Sequence, residues 1–293
     1  MFLEARKLAD KKVIITRDST SDLPPEIVEA LNIKTIPLVV TLGDKSYRDG
    51  VDITPDDIYK YHDEHGVLPK TAAANIDDLI NFFKPLVDDG YSIVHFTISS
   101  SMSCTYQNSC IAAEEFEDVY VVDTANLSTG EGLLIMKAAE WIKEGLSAKE
   151  IFDKVTALIP HVDASFVIDS LEYLHKGGRC SALAALGANL LKLKPCIEVN
   201  NGSMGVSKKY RGKYSETLKQ YVSEKLDDLS DIDLSRIFVT HAGCDPEIVE
   251  QVVNQVKAAA PFGEVLVSRA GCTISAHCGA NTLGILFLRK SAK

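Results

Sequence analysis

The 293-residue sequence lacks the features of a membrane-spanning, secreted or disulfide-stapled protein. None of its apolar runs reaches the about eighteen residues that a transmembrane helix needs, and its first twelve residues are too charged for a secretory signal. Its seven cysteines are odd in number and never spaced as C-x-x-C, which argues against a disulfide framework or a zinc knuckle. We therefore predict a cytoplasmic protein with reduced, mostly buried thiols, no metal and no stable membrane insertion.

Positive charge and nucleotide-binding motifs are also scarce. The 31 basic residues are outnumbered by 41 acidic ones, giving a net charge of −10, so a nucleic-acid partner is not expected. The phosphate-cradling G-x-x-x-x-G-K pattern is absent, which argues against autonomous kinase activity. The G-x-S-x-G elbow of α/β-hydrolases is absent as well.

Strand-like and helix-like segments alternate through the first half of the chain. Residues 91–98 and 119–124 read as strands, residues 76–87 read as a helix, and Asp22 is placed as the N-cap of an earlier helix. Such alternation is typical of a parallel sheet covered on both faces. We predict an N-terminal α/β domain over residues 12–162.

The second half follows a different pattern. Asn201-Gly202 separates two strand-like segments and predicts a β-hairpin. Helical segments at about 214–226 and 246–260 lie among further strands. We predict an α+β C-terminal domain over residues 163–293, and a chain of this length favours two domains with a cleft between them.

A serine-rich turn follows the strand at 91–98. Ser99, Ser100, Ser101 and Ser103 offer hydroxyl donors, and a helix is predicted to begin near Ser103. Free N–H groups and the helix dipole make such a junction an anion site. Without a lysine or arginine in the turn, a carboxylate fits better than a triphosphate; the alternative is a serine-rich cap with no further use.

Two further side chains could complete a site. His277 is placed in a glycine-flanked loop, where a neutral imidazole can donate one N–H to an acid, although a lone histidine is often structural. Thr71 is placed in a loop before a helix, where it could supply a hydroxyl or only a helix cap.

Four motifs together make the chain resemble the DegV family of bacterial fatty-acid-binding proteins, which includes the acyl-carrying subunits of fatty acid kinase. The motifs are DSTSDLP at 18–24, ISSSMSCTYQ at 98–107, KGGR at 176–179 and ISAH at 274–277, in the family's order and spacing. The resemblance spans residues 13 to 289 and implies the family's two-domain fold.

The resemblance also implies a function and a set of residues. A long-chain fatty acid would lie in a buried tunnel between the domains, with its carboxylate at Thr71, Ser103 and His277 and no cofactor. A separate ATP-dependent fatty acid kinase would phosphorylate that carboxylate. Arg179 and Arg211 match basic positions that could face the phosphate or the kinase.

One departure from the family pattern affects the site itself. Cys104 replaces the usual glycine after the binding serine, so a backbone N–H expected to reach the carboxylate could be less accessible or differently angled. We keep Cys104 among the predicted carboxylate-binding residues.

Two other functions are weighed against the carrier. A serine hydrolase or esterase would use Ser103 as nucleophile, His277 as base and an acid such as Asp123 to orient it. A phosphotransfer or small-metabolite kinase domain would instead use His277 to hold its substrate. Apolar segments such as 77–89, 132–142 and 181–193 could line a tunnel or form ordinary core.

Overall fold

A computed structural model describes residues 12–180 and 193–293 of the chain. Its strands, numbered along the chain, are β1 (Lys12–Asp18), β2 (Lys34–Ile36), β3 (Val39–Leu42), β4 (Lys45–Arg48), β5 (Lys70–Ala72), β6 (Tyr91–Thr97), β7 (Val119–Asp123), β8 (Val162–Ile168), β9 (Lys194–Asn200), β10 (Ser203–Tyr210), β11 (Ile232–Ala242), β12 (Glu264–Arg269) and β13 (Thr282–Arg289). Its α-helices are α1 (Pro25–Ala30), α2 (Pro55–His65), α3 (Ile76–Asp88), α4 (Thr105–Ala113), α5 (Thr129–Lys143), α6 (Ala148–Leu158), α7 (Glu172–Gly177), α8 (Tyr214–Lys225), α9 (Pro246–Ala259) and α10 (Cys272–Cys278).

The first sheet is parallel, with strand order β2-β1-β6-β7. Successive residues of its strands point to opposite faces. Ile14 belongs to a core cluster with Phe83 of α3, whereas Ile15 belongs to a second cluster with Leu133 of α5 and Ile151 of α6. Helices thus cover both faces, which is why β1 has no polar face exposed to water.

The second sheet has six strands in the order β10-β9-β8-β13-β11-β12, antiparallel except for the β11–β12 pair. Helices α8 and α9 pack on one face around Tyr221 and Val252. The other face contributes Phe166 and Phe238 to the cluster that contains Leu133 of α5. One apolar core therefore joins the two sheets.

A third, three-stranded antiparallel sheet has the order β4-β3-β5. Val40 and Leu42 of β3 pack with Ile58 of α2 and with Cys272 and Ala276 of α10. The small sheet therefore holds a helix from the far end of the sequence against β5.

The mixed α/β fold with a parallel N-terminal sheet agrees with the sequence prediction, and so does the hairpin of β9 and β10 at Asn201-Gly202. The division at residue 162 stays a prediction. Asp22 is not a helix N-cap: Pro24 precedes α1, and Asp22 is buried with a left-handed backbone at the end of a 3-10 turn.

Of the three apolar segments that could line a tunnel or form core, two are described by the structure and most of the third is not. In α3 and α5 they form ordinary core, whereas residues 181–192 of the third segment lie outside the described residues. None of the seven cysteines forms a disulfide, and five are buried. Across 12–180 and 193–293, no helix is long and apolar enough to cross a membrane, and no cluster of ligating side chains suits a metal ion.

We predict that Gly284→Ala strongly destabilises the fold. A Cβ at Gly284, in the interior strand β13, would overlap the carbonyl oxygen of Ser165 on β8. Overpacking of this kind typically costs about 1–3 kcal/mol and sometimes more. Gly205→Ala on the outer strand β10 is the matched control, because a Cβ there meets nothing within 4 Å. Urea unfolding that gives equal losses for both variants would contradict the packing argument.

Candidate functional site

Thr71 lies in strand β5, not in a loop as predicted. Its backbone pairs with Val40 of β3, and the cap of the following helix is Asn75, whose side chain accepts from the Asp78 N–H at 2.8 Å. The strand is only three residues long, and no alternating pattern of that length separates a strand from a loop. Thr71 is thus fixed by a sheet, and its hydroxyl is free of any capping role.

His277 lies in helix α10, again not in the predicted loop. Six of the seven helix residues are buried, so the segment has no polar face whose periodicity would predict a helix. Gly271 precedes the helix and Gly279, with φ of 73°, ends it. The glycines that suggested a loop are the two ends of a short buried helix.

The structure brings Thr71 and His277 into direct contact. Thr71 Oγ1 lies 2.8 Å from His277 Nε2. His277 Nδ1 is buried without a hydrogen-bond partner in the described structure, and a Cβ at Gly177 would lie 2.7 Å from it. The KGGR segment therefore packs its glycine backbone against the imidazole ring.

The imidazole of His277 is neutral at physiological pH. Burial, and secondly the positive charge of Arg179, lower the pKa of His277 to about 4. A neutral ring carries one N–H and one lone pair, so it can share a proton with Thr71 but carries no charge of its own.

Helix α10 is anchored by two buried carboxylates from the first fifty residues. Asp49 accepts from the N–H groups of Cys272 and Thr273 at 2.8 and 3.0 Å, and Asp22 accepts from the Gly271 N–H at 2.8 Å. Neither role was predicted from the sequence. For Asp22 the available signal was its place in the DSTSDLP motif at 18–24, whereas Asp49 lies in none of the four motifs.

Ser103 lies in the turn before α4, which begins two residues later than predicted, at Thr105. Its hydroxyl lies 2.9 Å from Thr105 Oγ1 and accepts from the Thr105 N–H at 3.2 Å. Ser99 donates to the carbonyl of Gly202 at 2.7 Å and is committed elsewhere. Ser103 is not the N-cap of α4, which is Cys104. It accepts from the first N–H group of the helix and also lines a pocket.

Cys104 is exposed and has φ of −77°, a conformation that any residue adopts. The departure from glycine at this position therefore causes no backbone strain. Cys104 is not among the residues that line the pocket, and its predicted contact with a carboxylate stays a prediction.

Two adjoining pockets meet at this point of the molecule. The first, here called the outer pocket, has about 510 Å³ of atom-free space, and the second, the inner pocket, has about 390 Å³. Both volumes include space that is open to solvent. The outer pocket is lined by Thr71, Ala72, Ala73, Ile98, Met102, Ser103, Leu127, Arg179, Met204, Thr273, Ile274, His277 and Cys278. The inner pocket is lined by Leu127, Ser128, Ala164, Phe166, Val199, Thr240, His241, Ala242, Ala270, Ile274, Cys278, Thr282, Gly284 and Leu286.

The two pockets share three lining residues, Leu127, Ile274 and Cys278. Thr71, Ser103 and His277 all line the outer one. Arg179 also lines it, which places a cation beside the predicted carboxylate site. Arg211 is exposed and lines neither pocket, so its partner-facing role stays a prediction.

The hydrolase arrangement is not assembled in the described residues. Ser103 is hydrogen-bonded to Thr105, not to His277, and no carboxylate contacts the imidazole. Asp123 instead accepts from the Ser100 and Ala125 N–H groups at 3.1 and 2.9 Å. Nucleophile, base and orienting acid therefore do not form a connected triad.

Comparison with known families shows which family the chain belongs to. The family model described as "Uncharacterised protein, DegV family" matches residues 12–290. The chain belongs to the DegV family.

Relatives within the DegV family match nearly end to end. A DegV domain-containing protein of Clostridium acetobutylicum is 33% identical over 283 residues, covering 96% of this chain and 99% of its own length. One from Staphylococcus aureus is 33% identical over 281 residues, covering 95% of this chain and 99% of its own length.

Solved DegV family structures share the fold. A fatty-acid-binding DegV family protein from Thermus thermophilus superposes with a TM-score of 0.87 at 28% identity, covering 95% of this chain and 99% of its own. A stearic-acid-binding protein from Eubacterium ventriosum gives a TM-score of 0.82 at 26% identity, covering 95% and 98%.

We expect the His277 imidazole to titrate near pH 4, where its pKa lies. Arg179→Ala should raise this pKa only partly, because burial is the larger cause. His95 is the internal control, since burial alone lowers its pKa to about 3 and Arg179 plays no part there. The measurement is the imidazole NMR shift against pH. Titration of wild-type His277 at or above its ordinary pKa of about 6.5 would refute the buried, neutral ring.

Proposed function

We propose that this DegV family protein is a non-enzymatic carrier that binds one long-chain fatty acid. The alkyl tail of the fatty acid lies in the inner pocket, and the carboxylate of the fatty acid lies in the outer pocket at Thr71, Ser103 and His277. The observation that carries the proposal is the Thr71–His277 pair, 2.8 Å apart, at the polar end of two adjoining pockets. The fatty-acid-binding DegV structures from other bacteria support it.

The inner pocket suits an unsubstituted alkyl chain. Most of its lining side chains are apolar, and its hydroxyls are already paired. Ser128 donates to Asp22, Thr240 pairs with Thr129, and Thr282 donates to the Cys278 carbonyl. No hydroxyl in this lining is left to attract a polar ligand. His241 is the further polar side chain of the lining, and its Nδ1 accepts from the Cys244 N–H at 3.4 Å. Burial of methylene groups therefore supplies most of the affinity.

Magnitudes indicate how affinity and orientation are divided. Each buried methylene contributes roughly 0.8 kcal/mol, so ten to fifteen of them contribute on the order of 10 kcal/mol before entropic losses. A hydrogen bond to a charged group contributes roughly 1.5–3 kcal/mol net. The tail therefore dominates affinity, and the head group sets which end of the ligand faces solvent.

The geometry also suggests how the head group is held. With its proton on Nε2, His277 donates to Thr71 Oγ1, and the Thr71 hydroxyl proton is then free to donate to the carboxylate. Ser103 can turn its hydroxyl from Thr105 toward the same group. Arg179, exposed beside the pocket, adds charge without sealing it.

We further propose that the held carboxylate is presented to a separate fatty acid kinase for acyl-phosphate formation in the cytoplasm. Arg179 supports this, because a guanidinium beside the head group matches an acyl phosphate as well as a carboxylate. Arg211, exposed between β10 and α8, would then face the kinase. No cofactor is needed for carriage itself.

The direct test is the ligand itself. We expect protein purified from a heterologous host to release about one fatty acid per chain on denaturing mass spectrometry. Ala270→Leu, which adds bulk to the inner pocket, should shorten or abolish the bound chain, whereas Ala258→Leu on the exposed side of α9 should not. A folded, monodisperse wild-type preparation with no stoichiometric fatty acid would remove the proposal.

A second test measures how much the contact between Thr71 and the head group contributes to affinity. Thr71→Val keeps a β-branched residue in β5 and removes the hydroxyl, so the Kd for a fatty acid should rise about tenfold or more, the equivalent of one charged hydrogen bond. Thr41→Val is the matched control in neighbouring strand β3, where the hydroxyl meets only Ser46. Lipid titration and thermal melting are measured together. Equal Kd values for the two variants would show that Thr71 does not hold the head group.

A further inference from the structure

Asp22 lies between the inner pocket and the helix that carries His277. Its Oδ2 accepts from the hydroxyl of Ser128, which lines the inner pocket. Its Oδ1 accepts from the N–H of Gly271, the residue that precedes α10, at 2.8 Å. One oxygen of the Asp22 carboxylate thus binds the wall of the inner pocket, and the other binds the residue that precedes α10.

Ser128 and Asp22, which are joined by this hydrogen bond, both have an unusual backbone conformation. Ser128 has φ of 54° and ψ of −144°, and Asp22 has φ of 48° and ψ of 26°. Non-glycine residues hold such conformations only where surrounding contacts determine them. Ser268 adds a further contact, donating its hydroxyl to the Asp22 carbonyl. The segment around Asp22 is therefore fixed by contacts from two separate parts of the chain, at Ser128 and at residues 268–271.

We propose that Asp22 is a positioning residue that keeps the inner-pocket wall at Ser128 in register with helix α10, and so sets the affinity of His277 and Thr71 for a carboxylate head group. The inference rests on the proposed function, because it concerns the capture of the same ligand. Asp22 would not touch the ligand; it would act through Ser128 and Gly271.

The ionised form of Asp22 suits this role. Both partners are donors, and a carboxylate offers only acceptors, whereas a protonated carboxyl must find an acceptor for its own proton. Burial is the main cause that raises the pKa of Asp22 to about 7. The titratable and charged groups around it are Arg17, Glu26, Asp49, Glu131, Arg269, Cys272 and Cys278.

This arrangement makes head-group affinity and stability change in opposite directions with pH. If only protein with ionised Asp22 holds the head group well, affinity rises by up to about tenfold between pH 6 and pH 8. The pKa of Asp22 is raised on folding, so its contribution to stability is present below its unfolded pKa and lost as pH rises through about 7. A merely structural residue would weaken binding and stability together.

The test compares decanoic acid with decan-1-ol, which has the same tail without a carboxylate, on delipidated full-length protein at submicellar concentration. The readout is the ratio of the two affinities from pH 6 to pH 8, with thermal melting alongside. We expect the wild-type ratio to rise with pH. Asp22→Asn should give, at every pH, the low ratio that wild type shows at pH 6. Asp52→Asn, at an exposed carboxylate paired with Arg48, should behave as wild type.

Ser128→Ala keeps the Asp22 carboxylate and removes one of its two tethers, so it carries the test if Asp22→Asn does not fold. We expect its ratio at pH 8 to fall about threefold or more, since a charged hydrogen bond is lost. A wild-type ratio and pH profile in both folded variants would overturn the inference and leave the carrier proposal standing. Wild-type protein that binds neither decanoic acid nor longer fatty acids at any pH would instead overturn the proposed function.

Discussion

The contact between Thr71 and His277 joins residues 206 positions apart and requires β5 and α10 to be fixed against each other. Helix α10 has only seven residues, too few to be stable alone. The small sheet supplies an apolar surface for it, and Asp22 and Asp49 accept three of its otherwise unpaired N–H groups. Asp49 follows β4 of the sheet that holds Thr71 in β5, so one unit positions both partners.

The electrostatics of the outer pocket suit the proposed carrier, whose ligand would be held and then handed on. A neutral imidazole and two hydroxyls orient an anion without neutralising it, and Arg179 is exposed and therefore screened by solvent. Strong charge pairing would allow small acids without a tail to bind. In the proposed carrier, weak head-group binding would make affinity depend on the apolar inner pocket, and selection for a long tail would follow from that difference.

Long, periodic elements were predictable from the sequence, and short buried ones were not. Strands β1 and β6 of the parallel sheet and the covering helices α3, α5 and α6 each run over seven or more positions, and the hairpin follows from its Asn201-Gly202 turn. Thr71 and His277 were found by resemblance to a family, but their local structures were predicted wrongly, because a three-residue strand and a fully packed short helix carry no periodic signal. Asp22 was misread as a cap since its partners, Ser128 and Gly271, are more than a hundred residues away.

Helix α10 connects the proposed head-group site with the proposed tail pocket through its own geometry. Ile274 and Cys278, four residues apart and so on one face, line both pockets. His277, three residues after Ile274, lies beside that face and meets Thr71. A rotation or slide of the helix would therefore move the shared wall and the imidazole together. The carboxylates at its N-terminus fix that rotation. In the proposed carrier, residues that never face the ligand would thereby determine how it is held.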